Sequence, residues 1–334
     1  MRFGMFVPQG WRHDLVGIEP AEHWQAMRGL AEYADAADSG WESIWVYDHL
    51  HTVPVPSETE ATHEAWSLTA AYAASTSRIR IGQMCTCMGY RNPAHLAKVA
   101  ATVDVISGGR VEMGIGGGWY EHEWRAYGYG FPPVPERLAM LREGIEIMRQ
   151  AWTTGTATLD GAHYRVDGAI VRPLPLQHGG IPLWVAGGGE KVTLKIAAKY
   201  ASYTNFNGTP AVFAHKSDVL RGHCAAAGRD FDAITRTSDF NTVIGSDRAD
   251  VARRLAAIEA RVAPFLGPEK TARYLAEYRA DAPTALVGTP SQVAAKLAER
   301  TELGLGYSIH YFPEAAYDRT GLELFAAEVM PALR

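Results

Sequence analysis

Short apolar runs alternate with longer stretches whose apolar residues recur at helical spacing. Arg2 to Val7 predicts a first strand, and Trp24, Met27, Leu30, Ala31 and Ala34 predict a helix that Gly40 ends. Trp41 to Tyr47 predicts a second strand running into Asp48-His49, residues 64 to 76 a helix, and Arg78 to Cys87 a third strand. Asn92 caps the next helix, Pro93 takes its first position, and Leu96, Val99, Ala100 and Val103 form its buried stripe. Val111 to Ile115 predicts strand four, ending at Gly116-Gly117-Gly118, with a long helix from about Glu136. Pro182 to Ala186 predicts strand five, followed by Gly187-Gly188-Gly189 and a helix from Glu190. Tyr203 to Phe206, a run within Ile234 to Ile244, and Ser308 to Phe312 supply strands six to eight. Helices are expected from Thr209-Pro210, from Asp247 to about Ala280, from Thr289-Pro290, and through Leu322, Phe325, Ala326 and Val329.

Strands alternating with helices pair in parallel through right-handed crossovers. An open doubly wound sheet shares that local pattern, but a count of eight and the lack of Gly-x-Gly-x-x-Gly after strand one favour a (β/α)8 TIM barrel. Residues 155–180, rich in glycine and proline with a hairpin around Leu159 to Val166, read as an insertion in one domain spanning 1–334.

Composition narrows the partners. Hydrophobic residues make up 47% and charged residues 21%, a mix that supports a real core. A net charge of −5 without a basic run argues against nucleic acid, and no apolar stretch is long enough to span a membrane. A cytoplasmic protein acting on a small molecule is expected. The three cysteines, Cys85, Cys87 and Cys224, fit no disulfide framework, and a lone Cys-x-Cys lacks the partners of a metal site.

In a barrel the chemistry sits at the C-terminal ends of the strands. Asp48-His49 offers an acid beside an imidazole, suited to proton movement or to binding a polar ring edge, although a turn cap and a loop residue would read the same. Gly116-Gly117-Gly118 admits a planar ligand close to the backbone, with Trp119 and Tyr120 as walls. Gly187-Gly188-Gly189-Glu190 leads from a strand into a helix, where bare amides and the helix N-terminus make a phosphate site.

These segments, in this order, resemble the luciferase-like monooxygenase superfamily, and within it the branch that uses the deazaflavin coenzyme F420. The resemblance is carried by Gly40 to His49, Tyr90 to Lys98, Ala101 to Arg110, Met113 to Glu121, Gly187 to Leu194 and Val287 to Pro290. It implies a barrel holding F420, or alternatively FMN, with Asp48 and His49 against the ring. Met84-Cys85 matches the place of a non-proline cis peptide behind the ring, and Gly187-Gly188-Gly189 matches the phosphate turn. The expected cofactor-binding set is Asp48, His49, Met84, Cys85, Cys87, Asn92, Gly116, Gly117, Gly118, Ala186, Gly187, Gly188 and Gly189. His49 and Glu121 are the catalytic candidates, with Glu123 and Tyr90 in reserve, and Trp11, His13, Tyr90 and Trp119 are expected in the substrate pocket. The superfamily's sugar-phosphate dehydrogenases carry a glutamate after the strand-four glycines; Trp119 stands there instead, which speaks against that substrate. Hydride transfer between F420 and an activated double bond, imine, carbonyl or alcohol is expected. An FMN-dependent monooxygenase and a non-catalytic cofactor-binding barrel are the rival readings. Relatives are often dimers, so a homodimer is expected.

Overall fold

In the computed structural model, which describes residues 1–279 and 281–334, eight parallel strands close into a ring. They are β1 (Arg2–Phe6), β2 (Ser43–Val46), β3 (Arg80–Gln83), β4 (Val111–Gly116), β5 (Leu183–Ala186), β6 (Tyr203–Asn205), β7 (Thr235–Ile244) and β8 (Leu305–Tyr311). Each pairs with its neighbour in chain order, and β8 returns to β1 with Gly4 opposite Ile309. The main outer helices are α1 (Pro20–Asp35), α2 (Ala65–Ser75), α3 (Pro93–Ser107), α4 (Val134–Thr154), α5 (Thr193–Tyr200), α6 (Pro210–Ala226), α7 (Arg248–Ala276) and α8 (Pro290–Glu302). The eight-stranded barrel expected from the apolar rhythm is therefore present.

Local chemistry explains the boundaries. Asn92 Oδ1 accepts the amides of Ala94 and His95 at the start of α3, and Gly108 leaves the helix at φ +70°. The hairpin in the insertion pairs Thr156–Asp160 with Arg165–Ile170.

Three expectations change. The third strand is shorter than expected, breaking after Gln83 and resuming as Thr86–Cys87, while the Met84–Cys85 peptide between is cis, as the resemblance implied. A further strand, Ala285–Gly288, pairs with the outer half of β7; its run of four residues is too short for periodicity to show. The helix expected from Asp247 to about Ala280 ends at Ala276, and Ala280 itself lies outside the described residues.

The barrel interior is built around Trp45 on β2, fully buried, with its ring edge-on to Trp184 at 4.6 Å. Glycine makes the room. A Cβ on Gly82 would lie 2.4 Å from the Trp45 ring, and one on Gly114 would lie 1.9 Å from the Gln83 carbonyl oxygen. A Gly82→Val variant is therefore expected to lose about 1–3 kcal/mol or more to overpacking, read as a lower denaturant midpoint at unchanged slope. An unchanged midpoint would contradict this account of the interior.

Candidate active site

A cavity of about 520 Å³ opens among the C-terminal ends of the strands. One side of its wall comes from Met84 and Cys85 after β3, Gly116 to Trp119 after β4, and Ala186 and Gly187 after β5. The other comes from Trp11 and Arg12 after β1, Tyr47 to His49 after β2, Asn205 and Asn207 on and after β6, Asp239 to Asn241 on β7, and Tyr311 on β8. The glycines are required by close approach. A Cβ on Gly116 would come within 2.7 Å of Cys85 Sγ, and one on Gly118 within 2.5 Å of Cys87 Sγ. Gly187 adopts φ +114°, which L side chains rarely tolerate.

His49 is held on three sides. Its ring stacks on Trp11 with centroids 4.1 Å apart and 3° between planes, and Trp119 meets it edge-on at 5.5 Å. Nδ1 lies 2.9 Å from Glu123 Oε2. Glu123 sits in the short helix Glu121–Ala126 and is fully buried. Its Oε1 accepts the amides of Leu50 at 2.7 Å and His51 at 2.8 Å, and its Oε2 also accepts the Tyr90 hydroxyl at 2.9 Å. Burial alone would raise the Glu123 carboxyl, but the hydrogen bond and charge of His49 and the His51 and Leu50 amides hold it below the ordinary value. Burial, with Cys87 and Glu123 nearby, raises Tyr90, so its phenol stays a donor. An ionised Glu123 facing Nδ1 fixes the proton there and leaves Nε2 as the nitrogen that exchanges protons.

Several expected residues fall elsewhere. Glu121 is half exposed on the outer face of the same helix and pairs with Arg125 at 2.7 Å; the acid that meets His49 lies two residues on. Asn92 does not line the cavity because its side chain caps α3. His13 is buried outside the cavity wall, and neither ring nitrogen has a hydrogen-bond partner among the described residues. Burial lowers its pKa to about 4. Gly188 and Gly189 lie behind the wall: the Gly188 carbonyl accepts Lys216 Nζ at 2.5 Å, and α5 begins at Thr193 rather than Glu190. Asp48 reaches the cavity, but its carboxylate is taken by both Arg91 terminal nitrogens, at 2.7 and 2.9 Å, and by the Cys87 amide at 2.9 Å. It braces the loop. Burial, then Asp48 and Asp239, push the Cys85 thiol up to about 12, so it serves as wall and not as nucleophile.

The wall also contains residues that sequence reasoning missed. Arg12 donates to Asn241 Oδ1 at 2.7 Å and to Glu277, and its guanidinium lies 4.5 Å over the Tyr311 ring. Asp239 accepts Asn205 Nδ2 at 2.8 Å. A signal existed: Thr237, Ser238, Asp239, Asn241 and Thr242 make one run unusually polar for a barrel strand.

The fit of a phosphorylated heterocycle can be judged from this wall. A cavity of about 520 Å³ falls within the span of cofactor sites, and the glycines leave no Cβ to obstruct a flat ring. The Gly187 turn stands at one side of the same cavity, ahead of α5. The residues present fit such a group.

Known proteins agree with this architecture. A family model described as luciferase-like monooxygenase matches residues 1–306. The F420-dependent glucose-6-phosphate dehydrogenase of Mycolicibacterium smegmatis is 29% identical over 96% of this chain and 98% of its own. The protein of the same description from Amycolatopsis mediterranei is 34% identical, over 56% of this chain and 54% of its own. Among solved structures, the coenzyme F420-dependent tetrahydromethanopterin reductase of Methanopyrus kandleri has a TM-score of 0.78 at 21% identity, covering 100% of this chain and 99% of that one. At that identity the likeness concerns the fold.

Proposed function

The chain belongs to the luciferase-like monooxygenase family and is an oxidoreductase, and on that premise we propose that it moves a hydride between coenzyme F420 and a small organic substrate bearing a carbonyl, imine, activated double bond or alcohol. The observation that carries the reading is convergence. Gly187, the Met84–Cys85 bulge and the His49 imidazole, from separate parts of the chain, bound one cavity. The curated relatives' dependence on F420 supports the choice of cofactor.

Gly187 and its turn would hold the phosphate, and Met84, Cys85, Gly116 to Gly118 and Ala186 would bound the ring. F420, when bound, supplies or accepts the hydride, and the barrel supplies position and electrostatics. His49, its Nδ1 proton fixed by Glu123, exchanges a proton with substrate through Nε2. Trp11 keeps the imidazole flat, and Trp119, 61% exposed at the rim, limits water access.

A sugar phosphate is a poor match despite the relatives' names. Trp119 stands at the position taken as that of their acid, and the Arg12 charge is already met by Glu277. Arg137 is held in place differently, donating to the neutral Gly118 and Pro132 carbonyls.

Titration of the purified protein with F420 and with FMN, following ligand fluorescence, tests the cofactor. F420 is expected to bind at about micromolar concentration or tighter, and FMN at least about tenfold more weakly. The reverse order would favour an oxygen-activating flavin monooxygenase. Tight F420 binding with no turnover of any carbonyl, imine or alcohol would favour a non-catalytic barrel.

A further inference from the structure

Two aspartates line the cavity, and their surroundings differ. Asp48 is locked to Arg91 by two hydrogen bonds and also accepts the Cys87 amide. Asp239, on β7, has no cationic partner among the described residues. Its Oδ1 accepts Asn205 Nδ2 at 2.8 Å, and that amide also donates to Thr237 Oγ1 at 3.0 Å. The Asp239 backbone amide is held by Asn207 Oδ1 at 2.9 Å, which fixes the residue's place on the strand. The Asn207 side chain also reaches the Asp239 carboxyl, so both of its polar partners there are neutral amides.

The charged and titratable groups around Asp239 come from several elements. Tyr47 after β2 and Cys85 in the bulge are close enough for its charge to raise both. Arg12, from the loop after β1, is committed to Asn241 and Glu277, and Asp48 to Arg91. Asn205 and Asn207, from the β6 side, are neutral. A carboxylate here would face a phenol, a thiol and two amides, with Arg12 and Arg91 already paired, so ionisation leaves a charge without compensation. Burial accordingly pushes the Asp239 carboxyl up to about 7, against the hydrogen bonds from Asn205 and Asn207.

We propose that Asp239 is a ligand-binding residue that acts as a neutral acid, donating its O–H to an acceptor atom on the cofactor's heterocycle while Asn205 holds its other oxygen. This rests on the reading of the cavity as a cofactor site, because Asp239 shares the wall with the Cys85 bulge. Ionisation replaces a donor by a charged acceptor facing an acceptor, so binding weakens as pH rises through neutrality.

Isothermal titration calorimetry of F420 into wild type, Asp239→Asn and Asp239→Ala, from about pH 6 to about pH 9, tests it. Asparagine keeps an N–H donor that does not ionise, and titration of the ligand itself cancels in the ratio of the two Kd values. The wild-type to Asp239→Asn ratio is expected to rise by about tenfold per pH unit above neutrality. Asp239→Ala should bind about tenfold more weakly than wild type at the acidic end, with the same pH profile as Asp239→Asn. A ratio that stays flat would overturn the role of Asp239 and leave the cofactor reading standing, whereas no binding at any pH would overturn both. Carbon NMR of the Asp239 carboxyl in the protein alone gives an independent readout. A midpoint near neutrality is expected, and one at the ordinary carboxylate value would overturn the neutral acid.

Discussion

Glu123→Gln is expected to lower kcat by about 10²–10⁴-fold while leaving the Kd for F420 within about threefold. Glutamine retains the size of glutamate and can still accept the Leu50 and His51 amides, which lie at 2.7 and 2.8 Å. It cannot hold the His49 Nδ1 proton by charge, and its own NH₂ can force the opposite tautomer. The result would be an imidazole in place with the wrong nitrogen protonated. Steady-state kinetics with a titration of F420 affinity check this. Glu121→Gln, two residues away and paired with Arg125, should stay within about twofold of wild type. Equal losses from both substitutions would show that helix packing, and not the His49 contact, is responsible. Stability carries a second sign. Because the folded Glu123 carboxyl is held below its ordinary value, its contribution is present at neutral pH and is lost as pH falls through that lowered value. Glu123→Gln should remove this part of the acid-side fall in Tm.

Gly187→Val is expected to raise the Kd for F420 by about 100-fold or more. Its φ of +114° is closed to a β-branched residue, and a Cβ would also press on Thr193 Cγ2 at 3.3 Å. Forcing valine into that conformation costs about 1–3 kcal/mol, so the turn relaxes and moves its amides away from the phosphate position. Titration of F420 into the variant, with Tm as a control for folding, reads the effect. An unchanged Kd in a folded variant would place the phosphate elsewhere and remove the main support for the cofactor site.

The two variants act on parts of the site that were legible to different degrees. A glycine-rich βα turn also occurs without a ligand, and the Gly187 turn stood out from the chain by its place after strand five, with glycines after strand four as well. Gly188 and Gly189, read as its equals, sit behind the wall, since the chain turns away toward Lys216 and Thr193 before α5 begins. Glu121 and Glu123 look alike in sequence, both in the first turn of a short helix. Only the rotation of that helix against the Asp48–Thr52 loop sends Glu123 inward to His49, leaving Glu121 in solvent. His13 and Asn92 failed for the same reason: neighbours of real wall residues need not face the wall.

The periodicity of apolar residues, the caps at Asn92 and Gly108 and the glycines at the strand ends were enough to set eight βα units and the mouth where the cavity opens, because these depend on interactions a few residues apart. Which acid meets His49, which aspartate is left without a cation and how Arg12 is neutralised depend on groups 30 to more than 200 residues apart. Those pairings exist only once β8 has closed against β1 and the loops face one another across the cavity. Side-chain direction and burial, and the ionisation that follows from them, are properties of the closed barrel.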